Sequence, residues 1–77
     1  MRKIINNLMY DTEQATLLFV DEMSRRKRMY YQTNKGNYFC LYTNGVITPL
    51  EEEDVKTILG QLDVDRYIEL FDEPDYA

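Results

Sequence analysis

Up to residue 48 the apolar residues come in short runs and alternations, and beyond it they recur three and four positions apart. The first pattern is that of strands and the second that of helices. Ile4-Ile5 and Leu8-Met9-Tyr10 flank Asn6-Asn7, and asparagine tolerates the positive φ of a tight turn, so a short opening hairpin is expected. Asp11 is placed to cap one helical turn over Thr12 to Ala15, with Gln14 three residues on as in a capping box. Leu17-Leu18-Phe19-Val20, inside Thr16 to Asp21, suit a strand covered on both faces. After the polar connection Glu22 to Lys27, Arg28 to Thr33 reads as a strand, and Asn34-Lys35-Gly36-Asn37 as a turn. Tyr38 to Tyr42 puts Phe39 and Leu41 on one face and Tyr38, Cys40 and Tyr42 on the other. Asn44-Gly45 signals a type I′ hairpin turn, with Val46 to Thr48 returning alongside to complete a three-stranded meander.

Thr48-Pro49-Leu50-Glu51 reads as a helix start, with Thr48 as N-cap, Pro49 at the first helical position and Glu51 closing a capping box. Val55, Ile58, Leu59 and Leu62 then form one apolar stripe against the sheet. Gly60 weakens the last turn by roughly 1 kcal/mol relative to alanine. Asp63 caps a second helix in which Val64, Tyr67, Ile68 and Phe71 repeat the spacing, and Pro74 stops it. The fold expected is α+β, a small antiparallel sheet of about four to five strands packed against two C-terminal helices. The organisation expected is a single domain over 1–77: a β-rich basic part over 1–48, a helical acidic part over 49–71 and an acidic tail over 72–77.

Length bounds function. A domain of 77 residues buries only roughly 60% of the surface its unfolded chain exposes, so a deep catalytic cleft is not expected. No apolar run approaches the roughly 20 residues of a membrane-spanning helix. Met1-Arg2-Lys3 is basic, but Ile4-Ile5 runs straight into Asn6-Asn7 and lacks the apolar middle of a signal peptide, so a cytoplasmic location is expected. The single cysteine, Cys40, cannot close an internal disulfide, and in a chain without histidine it lacks the usual activating base.

The net charge of −5 is unevenly spread. Residues 1 to 48 carry seven Lys/Arg against four Asp/Glu, a net +3, whereas residues 49 to 77 carry two against ten, a net −8. A surface of one sign steers association with the opposite sign. Glu51, Glu52, Glu53 and Asp54 crowd a helix start, where the dipole favours negative charge; they stabilise that helix and also offer a partner-binding face. Asp63 and Asp65 resemble the opening of a calcium loop, but Ile68 and Pro74 stand where its glycine and bidentate glutamate belong. Neither a zinc set, a phosphate-cradling glycine loop nor a supported nucleophile is present, so no cofactor, no metal and no enzymatic activity are expected.

Ser24-Arg25-Arg26-Lys27-Arg28, followed by Tyr30 and Tyr31, is the candidate for nucleic-acid contact, with cations for phosphates and aromatic faces for bases. Its plainer alternative is a solvated loop between strands. Seven tyrosines exceed what so small a core requires. Tyr30, Tyr38 and Tyr42 are expected to share the outer face of the sheet, while Tyr10, Tyr31 and Tyr67 pack inside.

Three blocks carry a family resemblance. Lys3-Ile4-Ile5-Asn6, then Tyr10-Asp11-Thr12-Glu13 and Ala15, resemble the KIINGKRYDTEKA opening of small proteins from phages, plasmids and integrative elements of Gram-positive bacteria. Lys35-Gly36-Asn37-Tyr38-Phe39 resembles that family's KKGNYFLYGEGG hairpin. Ile47-Thr48-Pro49-Leu50-Glu51-Glu52-Glu53 through Asp65-Arg66-Tyr67-Ile68-Glu69-Leu70-Phe71 resembles its IIPLTEEEAKEWAE…LDADEYEEIFG ending. The sequence departs at Thr43-Asn44-Gly45, where the family is glycine-rich, and at Ile58, where it has tryptophan. Some members lie among inhibitors of bacterial CRISPR immunity, so the resemblance implies counter-defence in a bacterial host cell, and it supplies no catalytic residue.

The expectation is thus a phage or mobile-element anti-CRISPR that inhibits a host effector nuclease by stoichiometric binding. Glu52, Glu53, Asp65, Glu69, Asp72 and Glu73 are the residues expected to mimic DNA phosphates. The alternative is a small nucleic-acid-binding or regulatory module using Arg25, Arg26, Lys27, Arg28 and Tyr30. A third reading is an accessory oligomer, such as a homodimer, joined through an open sheet edge.

Overall fold

The structure, a computed structural model, describes residues 1–23 and 25–77. Its strands are β1 (Arg2–Ile5), β2 (Leu8–Asp11), β3 (Thr16–Asp21), β4 (Arg28–Gln32), β5 (Tyr38–Tyr42) and β6 (Ile47–Leu50), followed by helices α1 (Glu52–Leu62) and α2 (Val64–Phe71). β3-β4-β5-β6 form an antiparallel meander, and β1-β2 a separate two-stranded ribbon. The α+β class and the packing of the sheet against two C-terminal helices follow the sequence pattern.

Three layers result. Phe39 and Leu41 of β5 and Ile47 of β6 pack against Tyr10 and Ile5 of the ribbon. Tyr38 of β5 and Leu18 of β3 pack on the opposite face against Val55 and Leu59, with Leu50, Tyr67, Leu70 and Phe71 around them. The central strand β5 is therefore buried from Tyr38 to Leu41, the consequence of a sheet with both faces covered. Val55 and Leu59 are fully buried and each contributes on the order of 1.5–3 kcal/mol of hydrophobic stabilisation.

The turns depart from expectation in an instructive way. Both positive φ values of a type I′ turn occur at Asn6 (52°) and Asn7 (66°), the tip of the ribbon. At Asn44-Gly45 only Gly45 is left-handed (φ 88°). There the Gly45 N–H donates to Tyr42 O, the Tyr42 N–H donates to Val46 O, and Asn44 Oδ1 accepts from the Val46 N–H. That is a longer loop closed by a left-handed glycine rather than the expected two-residue turn. Asp11 caps a short 3-10 turn over Thr12–Gln14, its Oδ1 accepting from the Glu13 N–H at 2.9 Å.

β3 is an edge strand, so Leu17 and Val20 stay exposed and only part of the expected two-sided burial occurs. A bulge at Leu18 has no register partner on β4, and both Leu18 and Phe19 pack with the helix-side core. The expected helix start at Thr48-Pro49 is corrected as well. Thr48, Pro49 and Leu50 belong to β6, paired with Cys40, Phe39 and Tyr38. Long-range pairing outcompetes the local helix signal, and Pro49, with no N–H to donate, is tolerated on this edge. The helix begins one turn later, where Asp54 Oδ2 accepts from the Glu51 N–H at 2.9 Å.

Two positions of the helical stripes also need correction. Leu62 is 47% exposed and Val64 57%, so neither joins the core, and Leu70 takes a place in it that the spacing assigned to Val64. Asp63 caps α2 as expected, its Oδ1 accepting from the Arg66 N–H at 3.1 Å.

Candidate partner-binding surfaces

α1 and α2 carry the acidic residues outward. Glu52 and Glu53 lie in the first turn of α1 and Asp65 in that of α2, where the helix dipole stabilises them. Glu52, Glu53, Asp65, Glu69, Asp72 and Glu73 are all exposed. Glu69 is held by Arg66, Oε2 to Nη1 2.7 Å, and Glu73 accepts from the Tyr76 hydroxyl at 3.2 Å. Among the described residues no cation reaches Glu52, Glu53, Asp65 or Asp72 at ion-pair distance. Lys56, the other cation of this half, is turned inward, its Nζ 5.3 Å from the centre of the Phe71 ring.

An apolar component accompanies this charge. Leu62 and Val64 flank Asp63 at the junction of the helices, and Ile68 follows Val64 by one turn, parallel to the row Asp65 and Glu69. The sequence pattern assigned these apolar residues to the core. Leu62 and Val64 are exposed and Ile68 is half-buried, and together they set apolar surface beside the acidic rim.

The basic segment is at the other end of the sheet. It joins Asp21 of β3 to Arg28 of β4, which pairs with Tyr42 of β5, whereas α1 follows Leu50, which pairs with Tyr38 at the opposite end of β5. Ser24, the first residue of the run, lies outside the described residues. Arg25, Arg26 and Lys27 are exposed, and Lys27 Nζ is 3.8 Å from Glu22 Oε1. Arg28 behaves differently. Its guanidinium lies 5.2 Å over the Tyr42 ring and beside the Tyr30 hydroxyl, and these contacts raise its pKa further, Tyr30 most. Its Nε is buried without a hydrogen-bond partner.

Tyr30 cannot stack on a base as the nucleic-acid reading required, since it is 2% exposed with its ring against Phe19, centroids 4.3 Å apart and 3° from parallel. Burial raises its pKa, as it does for Tyr38 and Cys40. The expected outer tyrosine face is thus an inner one. Tyr30 and Tyr38 are buried on the helix side of the sheet and only Tyr42 remains half-exposed, whereas Tyr10, Tyr31 and Tyr67 pack against the cores as expected. Asp21, buried opposite Arg28, is turned to its own loop, its Oδ1 accepting from the Met23 N–H at 2.9 Å.

A groove of about 410 Å³ opens between the ribbon and the β4–β5 turn, lined among others by Leu8, Tyr10, Gln14, Asn34 and Lys35. Asp11, the carboxylate in its wall, is engaged in capping. Among the described residues no three His, Cys, Asp or Glu side chains come together as metal ligands. No helix among them is long and apolar enough to cross a membrane. No family model, no curated protein and no solved structure matches the chain.

Proposed function

We propose that the protein is a counter-defence inhibitor of phage or mobile-element type, an anti-CRISPR, that acts by occupying the nucleic-acid groove of a host effector nuclease with its helical layer. The observation that carries this reading is the exposure, with no cation at ion-pair distance among the described residues, of Glu52, Glu53 and Asp65 on two helices packed over one sheet face and of Asp72 just past the end of the second. Carboxylates fixed on helices substitute for backbone phosphates in a cation-lined channel of the kind that holds a guide heteroduplex. Leu62 and Val64 add apolar area that phosphates lack, which favours a protein groove over bulk cations. The resemblance to small mobile-element proteins supports the same reading.

The alternative, a small nucleic-acid-binding or regulatory module, has its cations in the exposed Arg25-Arg26-Lys27 loop but no free aromatic platform at Tyr30.

The test is inhibition of target cleavage by purified CRISPR effectors at equimolar protein, with binding measured at two salt concentrations. Inhibition that saturates near one equivalent and weakens on replacing the acids by amides supports the proposal. Effectors that neither bind the protein nor lose activity, across the types present in Gram-positive hosts, would refute it.

A further inference from the structure

The two outer layers of the molecule carry patches of opposite charge, each centred on exposed apolar side chains. On the ribbon, Ile4 and Met9 are register partners on the face turned away from Tyr10 and Ile5, and they are 70% and 55% exposed. Together with Arg2 and Lys3 they line a shallow depression, and among the described residues neither cation has an ion-pair partner. On the far side of the sheet, Leu62 and Val64 stand exposed beside Asp65 and Glu69.

We infer that these patches dock on each other between copies, the ribbon of one molecule seating on the α1–α2 junction of the next. Exposed apolar side chains grouped with one sign of charge mark an interaction surface. The occupant follows from the charge. A two-fold pairing of ribbon on ribbon sets Arg2 and Lys3 against their own copies, and a pairing of junction on junction sets Asp65 and Glu69 against theirs. Ribbon on junction brings Arg2 and Lys3 toward Asp65, which has no cation at ion-pair distance among the described residues, and toward Glu69, which Arg66 already engages, and it covers both apolar centres at once. Because the two patches lie on opposite faces of the sheet, one molecule cannot satisfy both with a single partner in a two-fold arrangement. The contact is heterologous, and it extends head to tail unless the geometry closes a ring.

Each patch is small against the roughly 800 Å² per partner of a stable interface, so the association is weak and strongly salt-dependent. One molecule seated on the junction of the next also covers Asp65 and Glu69, the residues offered above to a nuclease.

The experiment is sedimentation velocity on the full chain over a concentration series, at about 20 mM and about 300 mM salt, a change that shortens the screening length roughly fourfold. Wild type is expected to gain sedimentation coefficient with concentration in low salt and lose that gain in high salt. R2E/K3E and D65K/E69K should each abolish it, and an equimolar mixture of the two should restore it, because each then supplies the patch the other lacks. I4S/M9S, altered at side chains that point to solvent, should fold as wild type by circular dichroism and stay monomeric. A wild type that sediments as a concentration-independent monomer in low salt overturns the inference. So does association that survives I4S/M9S, or a mixture of the charge-reversed variants that remains monomeric while both are folded.

Discussion

Arg66 of α2 donates from Nε to the backbone carbonyl of Leu18 in β3 at 2.8 Å, a side-chain hydrogen bond spanning 48 positions in sequence. Leu18 is the bulge residue, without a register partner on β4, and it is buried beneath the helices. One guanidinium thus ties the second helix to the irregular point of the edge strand, and Nη1 is left to bind Glu69.

Arg66→Ala should therefore destabilise the fold by about 1.5–3 kcal/mol, the range for a hydrogen bond to a charged group. Glu69→Gln should cost far less, since the exposed pair it breaks belongs to a class worth roughly 0–1 kcal/mol. Urea unfolding with a shared slope measures both. An Arg66→Ala midpoint equal to that of wild type would show that the Leu18 carbonyl is as well served by water.

Leu59 and Leu62 separate core from surface on one helix. Leu59→Ala should cost about 2–5 kcal/mol because the side chain is fully buried, and Leu62→Ala, at an exposed position, should stay within about 0.5 kcal/mol. Equal losses at the two positions would mean that Leu62 packs in solution.

The location of the α1 start is open to a similar comparison. Asp54→Ala removes the acceptor of the Glu51 N–H and should cost about 1 kcal/mol. Thr48 lies within β6, so Thr48→Val, which suits a strand, should be neutral or mildly stabilising. If Thr48→Val cost as much as Asp54→Ala, the cap would lie where Thr48-Pro49 alone suggests it.

What the sequence reveals about this molecule is chiefly local. The alternation around Phe39 and Leu41, the 3.6 period through Val55 and Leu59 and the Asp63 cap depend on neighbours within one or two turns, and all appear in the fold. Partners distant in sequence decide the rest. Thr48 to Leu50 become a strand because Tyr38 to Cys40 pair with them, and Leu18 bulges toward a helix about 40 residues away. The tyrosines fail as an outer face because the period-two reading fixes which residues share a side, but not which side the helices cover. The acidic residues were legible because charge on a short amphipathic helix has only the solvent face to occupy. The apolar half of the junction was hidden because Leu62 and Val64 fit the core spacing.

Alkaline pH provides another check. Burial raises the pKa of Cys40 above its ordinary 9.0 and those of Tyr30 and Tyr38 above 10.0. Each group holds its proton more tightly folded than unfolded. The associated stability is complete below the ordinary values and is lost as pH rises through them toward the raised ones. Unfolding free energy should be insensitive to these groups between pH 7 and about 8 and fall above about 9. Tyr30→Phe keeps the ring against Phe19 and removes one titrating hydroxyl, so its alkaline decline should be shallower. A wild-type curve flat up to pH 11 would contradict the burial of all three.

Neutralising the acids should affect stability and binding by different rules. Glu52 and Glu53 sit at the start of α1, where the dipole favours them, so E52Q/E53Q should lose a few tenths of a kcal/mol per site. Asp72 and Glu73 follow the end of α2, where the dipole opposes them, so D72N/E73Q should be neutral or slightly stabilised. If the helical layer seats in a basic groove, both double variants bind more weakly in proportion to charge removed, and the deficit shrinks as salt rises. D72N/E73Q carries the decisive comparison, because its fold is not weakened: reduced affinity in a variant at least as stable as wild type assigns the loss to the surface. Affinity unchanged in D72N/E73Q and reduced only in E52Q/E53Q, in step with its stability, would remove the charge of the α2 end from the mechanism.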